Sequence, residues 1–400
     1  MLSKTWCTRD HLAATLDAAL PPSTGTLRKH TVMATTTSPG NDIALGLIAQ
    51  DLMFLRRFMQ GVATAQDEHA VVPMFCMHNY ACLIVYESYR TLQAIEPALA
   101  ELLAYDCVAA IAHARHSVKL FDDTRYKQLS DVGEDFERII EVHREAFLNN
   151  TWLPLARPLE KDLALWRCRG RVISTSHIAN FFHASSPQQI RNPAALGREF
   201  HDVAAELGRY AATVTDGLPW AGTSFMSSLK ATDLTDRDVR AAKTYRQAFD
   251  PALPEEIKGA LTSLTCALNV VDALLADDAD GPSAATVLKL RYITLHHVLS
   301  SLRKLAAEYG PRLQPPARAL LDQILTASTS DRIAQAHPQF RNTLVHYRPE
   351  RRVEEQLSLN EPLYGLVGVY FPGEDFLSLN AEISAHLTGV AHRMQAWSGW

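Results

Sequence analysis

Apolar residues recur along most of this chain at steps of three and four, the period of a helix with one buried face. From Asn41, with Asp42 as a candidate cap, Ile48, Leu52, Leu55 and Met59 lie along one stripe. Pro73 opens a second run through Tyr80, Leu83 and Tyr86 toward Arg90. A third run covers 95–120, and a fourth, 131–148, carries Phe136, Ile140, His143 and Phe147. Residues 152–182 mix prolines with helical stretches, and 192–213 reads as another amphipathic helix. Further on, Ile257, Leu261, Leu264, Leu268 and Val271 form one stripe, and Leu288, Tyr292, Leu295, Leu299, Leu302 and Ala306 a second, stopped by Gly310-Pro311. Pro315-Pro316 starts the next helix, and Pro338 starts a short one that must end near Arg348, because Pro349 follows. Leu379, Ile383, Leu387, Val390, Met394 and Trp397 make the last stripe. Strand-like alternation is scarce; only 363–371 is ambiguous, and Gly365 and Gly368 weaken a helix there. The pattern predicts an all-α fold of antiparallel helices on short loops.

The first forty residues differ from the rest. Pro21-Pro22-Ser23-Thr24-Gly25 and the stretch 35–40 are turn-rich and poor in large apolar side chains, which predicts a loose leader over 1–40; Met33 is a second candidate start. Pro219-Trp220-Ala221-Gly222 and the Ser/Thr-rich residues after it look like a boundary. With 400 residues to place, the expectation is two helical-bundle domains, 41–215 and 240–400, with the break within 215–240.

Composition narrows the classes of function. The net charge is −5 and the pI near 6.3, so no global basic field draws the chain to nucleic acid or an anionic membrane. Any polyanion must be gripped by a local cluster. Unbroken apolar stretches such as 81–86 are far short of a membrane span, so no membrane is expected as a partner. Six scattered cysteines form no Cys-x-x-Cys pair, which argues against structural zinc and against a disulfide framework. No charged start followed by an apolar run marks a secretory signal, and the expected location is cytoplasmic.

The short helix reads Phe340-Arg341-Asn342-Thr343-Leu344-Val345-His346-Tyr347-Arg348-Pro349. Arginine followed after four to six residues by histidine is weak as bare spacing, because 29 arginines and 16 histidines produce such pairs by chance. Five arginines match: Arg138 with His143, Arg171 with His177, Arg291 with His296 or His297, Arg332 with His337, and Arg341 with His346. Only the last has a polar Asn directly after the arginine, apolar Leu344 and Val345 before the histidine, and a proline-started helix after three well-patterned ones. These residue types suit metal-free cleavage of a phosphodiester. Histidine titrates near neutrality and suits His346 as the base for a 2′-hydroxyl or the acid for a leaving oxygen. A guanidinium that stays charged suits Arg341 as the group that stabilises phosphoryl oxygens. Asn342, four residues before His346 and on its helix face, suits orienting the imidazole or touching the ribose. Arg341 and His346 themselves lie about 140° apart on an ideal helix.

At these residues the sequence resembles the HEPN superfamily of bacterial ribonucleases and toxins, small helical bundles whose signature is an arginine, usually followed by a small polar residue, then four to six residues and a histidine. The resemblance covers roughly 250–400, including Asn360-Glu361-Pro362-Leu363-Tyr364-Gly365 and Phe371-Pro372-Gly373 beyond the motif. It implies a metal-independent endoribonuclease that needs no cofactor and acts as a toxin or abortive-infection effector. It also implies RNA as the partner, a homodimer whose two motifs face each other across a shared cleft, and an antitoxin or other defence-system partner. Arg348, Arg351 and Arg352 would then supply the RNA-binding surface. In family toxins silenced by modification of a tyrosine, that tyrosine stands two places after the histidine; here Tyr347 is adjacent and position 348 is arginine. The alternative is a HEPN-like helical bundle that binds or scaffolds without catalysis, or one that regulates by binding a nucleotide.

The stretch Arg169-Gly170-Arg171 through His177 reads as an arginine-rich loop with an unrelated histidine, ahead of a diverged second copy of the motif. His113 with His116, and His296 with His297, lack the Glu-x-x-His partners of a di-metal bundle and read as core or surface histidines. Trp152, Trp166 and Trp220 read as packing residues rather than platforms for bases.

Overall fold

A computed structural model describes residues 38–400 apart from 66–71, 96, 98–102, 123–127, 219–221 and 337. The expected leader, Met33, Trp220 and His337 lie outside these residues, except for the leader's last three positions. Helix α1 (Pro39–Thr64) starts at Ser38, whose hydroxyl accepts from the Asn41 amide (3.4 Å) with Pro39 in the first turn. The cap therefore lies four residues ahead of Asp42. Next come α2 (Val72–Ile95), α3 (Tyr105–Ser117) and α4 (Leu129–Phe147). Helix α2 is buried on nearly every face, as its almost unbroken apolar sequence requires.

A small sheet then interrupts the helices, where the sequence suggested none. Strands β1 (Leu163–Cys168) and β2 (Arg171–Thr175) form a hairpin whose two loop residues, Arg169 and Gly170, both have positive φ (51° and 80°), matching the twist of the flanking strands. Helices α5 (Ser176–His183), α6 (Pro187–Arg191) and α7 (Pro193–Val214) follow, the last capped by the Asn192 side chain. Strand β3 (Leu234–Val239) then returns to pair antiparallel with β1, giving the order β2-β1-β3.

The C-terminal part contains α8 (Ala241–Gln247), α9 (Glu255–Asn269), α10 (Ala284–Tyr309), α11 (Pro315–Leu325), α12 (Ser328–Gln335), α13 (Pro338–His346), α14 (Leu366–Tyr370) and α15 (Phe376–Ser398). The fold is mostly α, as expected. Helix α9 and the π turn after it, Glu255–Leu274, have the length and apolarity to cross a membrane, yet 94% of the window is buried inside the protein. They form a core element, packed on α4, α15 and β2. One buried apolar cluster runs from Ile43 to Met394 and draws on both of the expected domains. A smaller buried cluster comprises Ile140, Leu163, Leu165, Ala241 and Tyr245, and the expected break contributes β3 to the sheet.

Candidate functional site

Helix α13 is held by its apolar side and by its end. Phe340 is fully buried, edge-on to Tyr292 and Phe371 with ring centroids 5.0 Å apart in each pair, and Leu344 is buried beside it. The helix stops at Tyr347, whose φ of 59° is left-handed. That residue is buried: its hydroxyl donates to Asp51 Oδ2 (2.7 Å) and Lys289 lies over its ring at 4.1 Å. Asp51 also accepts from Thr286 (2.7 Å) and pairs with Lys289. Tyr347 is thus a peg that fixes the motif to α1 and α10, and its hydroxyl is closed to modification.

With Phe340, Leu344 and Tyr347 inward, Arg341, Val345 and His346 face a cleft walled by α2, α3, α10 and the residues just after α3. The length of the Arg341 side chain spans the angle between it and His346. The free volume is about 40 Å³, room for a few water-sized groups. The other polar lining residues are Arg115, Lys119 and His297. Three cations therefore meet one half-exposed imidazole in a chain that is acidic overall.

The imidazole is held from behind by Glu87 of α2. Glu87 Oε2 lies 2.7 Å from His346 Nδ1, and the carboxylate is 5% exposed against 46% for the imidazole. Its other oxygen accepts from the Arg115 guanidinium through Nε and Nη2. Arg115 Nη1 lies 3.1 Å from a ring nitrogen of His116, and the guanidinium sits over Tyr86. Burial alone would raise the Glu87 carboxyl, but the His346 hydrogen bond and the Arg115 charge outweigh it and hold the group below its ordinary value. The backbone carbonyl of His346 accepts from Thr91 (3.0 Å), a second tie to α2. On the opposite wall, His297 and Lys304 hold Asp122, 3.3 and 2.8 Å away. Burial would raise that carboxyl too, yet its partners bring it well below the carboxylate range. Burial and the neighbouring cations and imidazole lower His296 to about 4.

The structure brings Arg341 and His346 to one cleft, and two expectations change. Asn342 does not orient the imidazole: its Oδ1 accepts from Arg341 (2.7 Å) and its amide reaches Gln339 (3.4 Å), so it steadies the arginine. Glu87 takes the orienting place. Arg348, Arg351 and Arg352 are exposed and do not line the cleft; Arg352 instead pairs with Glu350. The basic residues beside Arg341 in the cleft are instead Lys119 and the Glu87-paired Arg115. The sequence missed Glu87, Arg115 and Lys119, which lie more than 200 residues from the motif. The one available signal was Glu87 itself, the single carboxylate of α2.

The other stretches are structural. Arg171 bonds Asn269 (3.1 Å) and pairs with Asp272, while His177 is buried and bonded to the Tyr245 hydroxyl (3.0 Å). Trp166 is buried in the sheet and stacks near Phe75, whereas Trp152 stands exposed. Among the described residues no group of three or more His, Cys, Asp or Glu is arranged to hold a metal ion. No protein-family model, curated protein or solved structure matches this chain.

Proposed function

We propose that this chain is a metal-independent endoribonuclease of the HEPN type. The observation that carries the reading is His346: half exposed beside Arg341 in a small cationic cleft, with its inner ring nitrogen bonded to a buried carboxylate. In the proposed reaction His346 takes the proton of a ribose 2′-hydroxyl as that oxygen bonds to the adjacent phosphorus. The bond from phosphorus to the 5′-oxygen breaks, and the leaving oxygen takes a proton from water. The products are a 2′,3′-cyclic phosphate and a 5′-hydroxyl. Arg341, steadied by Asn342, neutralises the charge gathered on the phosphoryl oxygens. The basic side chains of the lining, Arg115, Lys119 and Arg341, support electrostatic stabilisation of the phosphoryl charge.

The wider reading, drawn from the resemblance, is a cytoplasmic toxin or abortive-infection effector that acts on RNA as a homodimer and is restrained by an antitoxin or other defence-system partner. The test is incubation of the purified chain with end-labelled RNA in EDTA. Cleavage leaving cyclic phosphate ends is expected, reduced about 10²–10⁴-fold in His346→Ala and about 10²–10³-fold in Arg341→Ala. Well-folded protein that binds RNA without cutting it, in cells whose growth is indifferent to His346, would favour the non-catalytic scaffold.

A further inference from the structure

We infer that Glu87 and Arg115, from the N-terminal half of the chain, are positioning residues that fix the tautomer of His346. The inference rests on the ribonuclease reading for its consequence, but the geometry stands without it. An ionised carboxylate only accepts hydrogen bonds. Because Glu87 Oε2 lies 2.7 Å from Nδ1 of His346, the ring proton must be on Nδ1. The neutral imidazole then carries its lone pair on Nε2, the nitrogen with no partner among the described residues. Arg115 makes this arrangement one-sided. By donating to Oε1 through Nε and Nη2, it keeps Glu87 charged and fixes which oxygen faces which neighbour. Buried against Tyr86 and tied to His116, Arg115 has little freedom to let go. Glu87 and Arg115 act through His346 and need not touch RNA themselves.

The isosteric substitution Glu87→Gln makes the inference testable. Arg115 still demands an oxygen acceptor, so the glutamine keeps its carbonyl toward Arg115 and turns its amide nitrogen toward His346. An amide N–H facing Nδ1 forces the ring proton onto Nε2, the wrong tautomer for taking a proton from a substrate. Loss of the correct tautomer in a comparable histidine–carboxylate pair costs about 10⁴-fold in kcat.

The experiment uses the full chain with ¹⁵N-labelled histidine. Ring-nitrogen shifts should show His346 protonated on Nδ1 in the wild type and on Nε2 in Glu87→Gln. In parallel, kcat should fall at least about 100-fold in Glu87→Gln, with KM and the Kd for a non-cleavable 2′-deoxy analogue within about 3-fold of wild type. Glu87→Asp keeps charge and tautomer, should recover most of the lost kcat, and serves as the reference if the glutamine variant folds poorly. An Nε2–H tautomer in the wild type overturns the inference, as does an unchanged kcat in Glu87→Gln or a parallel loss of RNA binding. If the tautomer switches as described but no chain cuts RNA, the positioning stands and the ribonuclease reading fails.

Discussion

At the scale of single residues, the most consequential feature outside the cleft is a set of histidines kept neutral in the core. Burial pushes His78 and His143 down to about 3, and His177 well below its ordinary value. His143 is satisfied as a neutral ring: Nδ1 lies 3.2 Å from the Asp162 carbonyl and Nε2 accepts from the Asn180 amide (2.9 Å). Since the folded values lie below the unfolded value near 6.5, the unfolded chain binds more protons as the pH falls. Stability is therefore fully present above about pH 6.5 and is lost from there down toward the folded values. Each such histidine contributes a slope of about 1.4 kcal/mol per pH unit within its window. The range from pH 6.5 to 5 isolates the effect, because carboxylates titrate mostly below it. Urea midpoints should fall across that range, and His143→Gln should flatten the dependence by one histidine's share; an equal slope in the variant would count against neutral burial. The buried pair below the motif gives a second expectation. Lys289 and Asp51 are each 4% exposed, so Lys289→Met leaves an uncompensated charge and should cost about 3–5 kcal/mol by urea denaturation.

Between elements, α9 approaches α4 closely at Gly259. A β-carbon at Gly259 would stand 2.9 Å from Cδ1 of Phe136, which is fully buried and has no room to move. Alanine would gain about 1 kcal/mol of helix propensity but force a packing strain of about 1–3 kcal/mol. Gly259→Ala should therefore lower the melting temperature, and a rise would mean the two helices can separate at little cost. This scale also explains what the sequence revealed and what it hid. The helices were legible because each long one shows its own apolar stripe: α10 and α15 follow theirs closely, and Asn192 marks the start of α7. The sheet was not. Residues 163–168 of β1 are mostly buried, so they show no alternation, and β3 reads Leu-Thr-Asp-Arg-Asp-Val, a polar run that looks like a loop. Only its pairing with β1, some 70 residues away, makes β3 a strand. The left-handed turn at Leu363, Tyr364 and Gly365 (φ 47°, 56° and 80°) likewise explains why 363–371 resisted assignment.

For the whole molecule, the same limit governs the candidate site. Arg341 and His346 were legible because their relation is contained in six residues of one helix. Glu87 is 259 residues from the histidine it bonds, and no local pattern encodes that distance. Because the carboxylate stands on α2 and its arginine on α3, the N-terminal half is part of the cleft rather than an appendage to it. The core has the same character: α9 packs on α4 and α15, β3 pairs with β1, and one apolar cluster joins both halves. A chain cut in the loop after α7 would expose buried faces of α1, α2 and α9 together and should not leave two folded pieces. Unfolding of the intact chain should then be a single transition. The fluorescence of Trp166, in the sheet, and of Trp397, near the C-terminus, should change at the same urea concentration when each is kept as the sole tryptophan. Separate midpoints would show that the halves fold independently. In that case an isolated C-terminal piece could retain its motif, yet it would still lack the carboxylate that holds His346.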